Sequence, residues 1–185
     1  VWVGVDPLVV ASGLSTLRPV PGRFELVAGA QTGYAFSTLV DYAHTPAALE
    51  MLLREMRALV VPGARVLVVF GCGGNRDTSK RPEMGAVATR FADRVVLTSD
   101  NPRDEDPERI IADVRRGVDP ASEGAGRLVV EPDRRLAIGL AISDARPGDI
   151  VVLAGKGHET VQELGRTTVP FDDRAIAREV LRCSR

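Results

Sequence analysis

Four short polar segments hold most of the residues in this chain that could do chemistry. Asp100-Asn101-Pro102-Arg103 stands between an apolar run, Val95-Val96-Leu97, and a capped helix start, which puts a guanidinium on a strand-to-helix turn, placed to grip a small carboxylate. Gly155-Lys156-Gly157-His158-Glu159 ends another apolar run and concentrates a cation, an imidazole and a carboxylate. Glu159 offers acceptor oxygens to a substrate ammonium. Arg103, and Arg76 within Gly71-Cys72-Gly73-Gly74-Asn75-Arg76-Asp77, offer donors to carboxylates, so the three together describe a site for a zwitterion. The fourth segment, Asp41-Tyr42-Ala43-His44-Thr45-Pro46, puts an acidic residue where doubly wound folds bind ribose hydroxyls.

Each segment also has a plainer reading. Glycines at 71, 73 and 74 let backbone N–H groups approach an anion, yet they also make an ordinary tight turn. The spacing is neither a dinucleotide GxGxxG nor a phosphate-binding GK[ST] loop. Lys156 reads as a solvated charge, His158 as a structural hydrogen-bonder, and Asp41 with Thr45 as helix caps. Arg23, on a Pro/Gly hinge, reads as a surface charge. Cys72 and His158 invite a nucleophile and base pair, but no third orienting group and no sign of an activated thiol accompanies them.

The elements that must position these residues alternate regularly. Val9 to Leu17 is weakly helical, and Pro19, Pro21 and Gly22 then break the chain before Phe24-Glu25-Leu26-Val27. A helix opens with Thr45 as N-cap and Pro46 at its first position, burying Leu49, Leu52, Leu53, Met56 and Leu59. Strands are expected at Val66 to Phe70, Val95 to Thr98, Leu128 to Val130 and Ile150 to Ala154. Helices are expected from Pro82 (Met84, Val87, Ala88 and Phe91 inward), from Asp106-Pro107 (Ile110, Ile111, Val114), from Asp133 (Leu136, Leu140, Ala141) and from Asp172 or Asp173. Strand-then-helix units of this kind give an α/β fold with a mostly parallel, Rossmann-like sheet flanked by helices. In such a sheet the loops at the carboxyl ends of the strands share one rim. The four polar segments should therefore converge.

Bulk properties narrow the classes of function. The 185 residues are 44% hydrophobic, enough for one core. Lys and Arg (24) nearly balance Asp and Glu (25), leaving no summed positive field for a nucleic-acid backbone or an anionic membrane, so a small-molecule ligand is expected. No apolar stretch approaches the roughly 20 residues of a bilayer span. Two distant cysteines, Cys72 and Cys183, match no disulfide framework and point to a reducing cytoplasm. The chain begins at Val1 rather than Met and reads as a fragment of something larger.

Taken in order, Pro21-Gly22-Arg23-Phe24-Glu25, the Asp41 to Pro46 segment, Phe70 to Asp77, Lys80-Arg81-Pro82, Asp100 to Arg103 and Gly155 to Glu159 resemble the C-terminal domain of the Mur ligases, most closely the branch that adds meso-diaminopimelate in peptidoglycan synthesis. The resemblance spans residues 21–185, and 1–20 resemble the end of that family's central ATPase domain. It implies a monomeric enzyme in which ATP, with Mg2+, converts a carboxylate of UDP-MurNAc-L-Ala-D-Glu into an acyl phosphate that the amino group of diaminopimelate attacks. It implies that Arg76, Asn101, Arg103, Gly155 and Glu159 hold the amino acid, with Asp100 and Pro102 shaping the loop, and that Arg23 and Asp41 contact ATP with His44 near them. Asn75 stands where this branch commonly has Asp, losing a charge beside Arg76. The phosphate-binding loop, the metal ligands and a carbamylated lysine belong to the central domain, so the isolated chain should lack catalysis. The competing readings are a related ligase for lysine or glutamate, and a stand-alone amino-acid-binding module.

Overall fold

The computed structural model describes residues 4–16 and 20–183; Val1 to Val3, Leu17 and Pro19 of the expected first helix and hinge lie outside them. The strands are β1 (Glu25–Ala28), β2 (Ser37–Asp41), β3 (Val66–Phe70), β4 (Arg94–Leu97), β5 (Leu128–Val130), β6 (Ile150–Ala154), β7 (Val161–Leu164) and β8 (Thr167–Pro170). The helices are α1 (Pro7–Ser15), α2 (Pro46–Leu59), α3 (Lys80–Phe91), α4 (Pro107–Arg115), α5 (Pro120–Gly124), α6 (Arg134–Asp144) and α7 (Asp173–Cys183). Six strands form one sheet in the order β1-β2-β6-β3-β4-β5, all parallel except the antiparallel pair β1 and β2.

Why β3 is apolar at every position follows from where its side chains go. Val66, Val68 and Phe70 pack with α2, α3 and α4 on one face, while Leu67 and Val69 pack with α6 and α7 on the other. A strand covered on both faces has no solvated side to carry polar residues. Helix starts are fixed as the spacing predicts. Thr45 Oγ1 accepts from Ala48 N (3.3 Å), Asp106 Oδ1 from Glu108 N (2.9 Å), and Asp133 Oδ1 from Arg135 N (2.8 Å).

Three expectations about the core need correction. In α6 the inward stripe is Ala137, Ile138, Ala141 and Ile142, and Leu136 and Leu140 face solvent. The same stripe carries the buried Arg134, whose pairing with Asp173 holds that face of the helix inward. Leu59, in the last turn of α2, is exposed, and Phe91 is only half-buried. Neither α5 nor the β7–β8 hairpin shows in the sequence pattern, the hairpin because it is short, mixed in polarity and outside the main sheet. Helix α1 buries none of its residues. No helix among the described residues is long and apolar enough to cross a membrane.

A fully buried ion pair ties α6 to α7. Arg134 donates from Nε to Asp173 Oδ1 (2.9 Å) and from Nη2 to Asp173 Oδ2 (2.6 Å), and Nη2 also reaches Ala154 O (3.0 Å) at the end of β6. Removing one partner leaves the other charge in the core without compensation. Asp173→Ala should therefore destabilise the chain by about 3–5 kcal/mol. Urea unfolding checks this, and a loss below about 1 kcal/mol would mean that the core around Arg134 is wet.

Candidate amino-acid and nucleotide site

Strands β2, β6, β3 and β4 are adjacent and parallel, so their carboxyl ends share one rim and the four polar loops rise from it together. Between the loops lies a cavity of about 260 Å3 whose lining includes Arg76, Asp100, Asn101, Arg103, Gly155 and Glu159. The residues expected to hold a zwitterion are thus brought to one place; Pro102 is buried behind them. Arg23 and Asp41 lie instead on a neighbouring, more apolar cavity of about 420 Å3, with His44 and Tyr42 lining both.

Asn101 organises the first cavity. Its side-chain Oδ1 accepts from Lys156 Nζ (3.0 Å) and Glu163 N (3.1 Å), its Nδ2 donates to Glu159 Oε2 (2.9 Å), and its backbone O accepts from Gly74 N (2.9 Å). Lys156 Nζ also donates to Glu159 Oε2 (2.9 Å). Burial works against the charge on Glu159, but these two donors win and hold its carboxyl below the ordinary glutamate range. Its other oxygen, Oε1, has no protein hydrogen bond among the described residues. Burial pushes the Asp100 carboxyl up, against the pull of Arg134 and Lys156.

Arg103 is held from two sides. Its Nε meets Glu163 Oε2 at 2.6 Å and its Nη1 donates to Gly74 O at 2.8 Å, leaving Nη2 without a protein partner among the described residues. Arg76 is exposed and makes a single long bond, from Nη1 to Asn75 O (3.3 Å). The β7–β8 hairpin fixes the Arg103 backbone, with Arg103 N donating to Glu163 O (3.1 Å) and Gly165 N to Arg103 O (2.7 Å). Gln162 Nε2 adds a bond to Asp100 O (2.6 Å).

Glycines 71 and 74 turn out to serve loop-on-loop packing rather than anion approach. A Cβ on Gly74 would lie 1.9 Å from Pro102 O, one on Gly71 would lie 2.3 Å from Thr98 O, and the Gly74 N–H is already engaged by Asn101. Asn75, in the left-handed region at φ 52°, accepts from Asp104 N at 3.1 Å through Oδ1. That conformation suits Asn, whose short side chain bonds locally.

In the second cavity Arg23 stacks on the Tyr42 ring, 4.6 Å from its centroid, and His44 and His158 pack on the same ring at 4.6 and 5.2 Å. Asp41 does not cap α2. Its Oδ2 accepts from Phe24 N and its Oδ1 from Ala43 N, both at 2.8 Å. Lys80, which sequence spacing alone did not single out, bridges the two cavities by donating from Nζ to His44 O (2.7 Å). Lys156 is also not the solvated charge its plainer reading suggests; it is fully buried. Its flanking glycines both adopt positive φ, 112° at Gly155 and 53° at Gly157, a backbone that favours glycine on each side of it.

A doubly wound sheet with a polar rim of this design defines a class, and the chain belongs to the Mur ligase, glutamate ligase domain family, which residues 22–157 match. Among its relatives, it is 52% identical over 179 residues to the UDP-N-acetylmuramoyl-L-alanyl-D-glutamate–2,6-diaminopimelate ligase of Solibacter usitatus, covering 97% of this chain and 35% of that protein. It is 50% identical over 173 residues to the ligase of the same name from Geobacillus kaustophilus, covering 94% of this chain and 34% of that one. A solved structure of a ligase of that name superposes with a TM-score of 0.79 at 40% identity, over 98% of this chain and 35% of that one. The chain thus spans about a third of the length of these relatives.

The nucleophile reading of Cys72 fails on its environment. The thiol is buried, and that burial pushes its pKa up to about 12, outweighing the nearby Lys80 ammonium. Cys183 is exposed. Iodoacetamide at pH 8 should therefore add one label to the native chain, at Cys183, since at that pH only about one Cys72 in ten thousand is thiolate. Mass spectrometry of the labelled chain decides this, and rapid labelling of Cys72 would contradict its burial.

Proposed function

We propose that this chain is the C-terminal domain of an ATP-dependent ligase of the cytoplasm that joins meso-diaminopimelate to UDP-MurNAc-L-Ala-D-Glu. The carrying observation is the single cavity in which the Arg103 and Arg76 guanidiniums stand with Glu159, whose Oε1 is available as an acceptor. Two cations and one anion complement an amino acid that bears an additional carboxylate. The names of relatives that match nearly the whole chain at about half identity support the same substrate.

In this reading ATP supplies activation of the carboxylate, and the residues here bind and aim the nucleophile. Asn101 and Asp100 set the loop, Arg76 and Arg103 take carboxylates, Gly155 admits close approach and Glu159 accepts from an ammonium. Holding an amine in line with an activated carbonyl is worth several kcal/mol of barrier. The second cavity fits part of a nucleotide. Arg23 and Asp41 stand at its mouth, Tyr42 offers a ring, and the wall formed by Ala48, Met51 and Leu52 is apolar. In the same reading Mg2+ and the triphosphate are held mainly by the central domain of the full-length ligase, which leaves this chain the nucleophile. Residues 1–20 are read as the end of that domain, because α1 exposes Leu8, Val9, Val10 and Leu14 and buries none of its own residues against the described part of this chain.

The test is Arg103→Ala in the full-length ligase. Losing the charged contact that Arg103 Nη2 is free to make should raise the KM for diaminopimelate roughly 10–100-fold and narrow its advantage over lysine. Unchanged discrimination in a competition assay would remove Arg103 from the substrate site. The 185-residue chain by itself should neither hydrolyse ATP nor form an amide bond when supplied with both substrates. Turnover near that of the full-length enzyme would place the phosphoryl-transfer machinery inside this chain.

A further inference from the structure

Lys156 is the only lysine among the described residues that is completely buried, and solvating nothing, it has to be there for what it holds. Its flanking glycines are tightly packed. A Cβ on Gly155 would lie 2.7 Å from Asp100 Oδ2, and one on Gly157 would lie 2.6 Å from Tyr42 Cβ, so the turn is clamped between the β4-end and β2-end loops. Its ammonium bonds Asn101 Oδ1 at 3.0 Å and Glu159 Oε2 at 2.9 Å. Both acceptors belong to the zwitterion cavity, while the Lys156 side chain does not line that cavity. We propose that Lys156 is a positioning residue for the incoming amino acid: it fixes Glu159 Oε2 and the Asn101 amide so that Glu159 Oε1 is the oxygen left to accept from the substrate ammonium. This rests on the diaminopimelate-binding reading of the cavity.

The chemistry requires a cation at this place. The Asn101 Nδ2 already donates to Glu159, so its Oδ1 must face a donor, and Lys156 supplies one while Glu163 N supplies the second. An apolar side chain would leave Glu159 with one donor in a half-buried site, and a neutral amide would replace the hydrogen bond but not the charge that holds the carboxylate. The charges facing the pair are Asp100 on the β4 end, Arg103 on the same loop, Arg134 on α6 and Asp173 on α7. Arg134 is paired with Asp173, and Lys156 is the cation directly bonded to Glu159.

The experiment uses Lys156→Met, which keeps the unbranched stem, and Lys156→Gln, in the full-length ligase, alone and combined with Glu159→Gln. Each single change at Lys156 should raise the KM for diaminopimelate roughly 10–100-fold, with kcat and the KM for ATP changed less than about threefold. Because the residue acts through Glu159, the same change in the Glu159→Gln background should add less than about threefold. Independent, multiplying effects in the double variants, or a loss confined to kcat, overturn the proposal. So does failure of both single variants to reach a native circular dichroism spectrum, which would assign Lys156 to folding alone. A wild-type enzyme without diaminopimelate-dependent turnover overturns the substrate assignment instead, and that outcome is read before any variant is compared.

Discussion

The site depends on one side-chain amide. Asn101, almost wholly buried, is where the β3-end loop, the β6-end turn and the β7–β8 hairpin meet, through bonds to Gly74, Lys156, Glu159 and Glu163. An amide is suited to this place because it accepts on one end and donates on the other, so it can bridge a cation and a carboxylate. A carboxylate at the same position would repel Glu159, and an apolar residue would leave Lys156 and Glu163 N without an acceptor. In a buried network each such loss costs more than the bond itself contributes.

Backbone strain collects around the same rim. Phe24, Asn75 and Arg103 are the non-glycine residues with positive φ among those described, at 48°, 52° and 51°. Such a conformation costs an L-residue about 1–2 kcal/mol. In each case the strained residue's own N–H is gripped: Phe24 by Asp41, Asn75 by Glu105 Oε1 at 2.5 Å, and Arg103 by Glu163 O. Glu105 is itself held by the buried Arg81, whose guanidinium also reaches Asp113 and Gly73 O. At Asn75 and Arg103 the residues that grip the strained N–H, Glu105 and Glu163, stand outside the amino-acid cavity lining.

What the sequence discloses of this arrangement follows from how local each signal is. Apolar runs and caps are read from a few neighbouring residues, and β3, β6, α2 and α4 stand where those signals put them. Convergence of the loops was also legible, because parallel strands leave their carboxyl ends no other place to go. The Leu136 and Leu140 expectation missed because the inward face of α6 is held by the pairing of Arg134 with Asp173 on α7, a tertiary contact. The burial of Lys156 and the bridge from Lys80 to His44 join residues 55 and 36 positions from their partners, Asn101 and His44. No window on the sequence shows such pairs.

The two cavities are not separate features of the rim. Tyr42 and His44 form a wall common to both, and that wall is pinned from each side, by Arg23 stacked on the ring and by Lys80 bonded to the His44 carbonyl. His44 is locked in addition by its Nδ1 lying 2.8 Å from Tyr42 O. Lys80 also lines the amino-acid cavity, so its bond to the His44 carbonyl ties that cavity to the shared wall. The proposed nucleotide cavity and the amino-acid cavity are in this way bounded by the same few contacts.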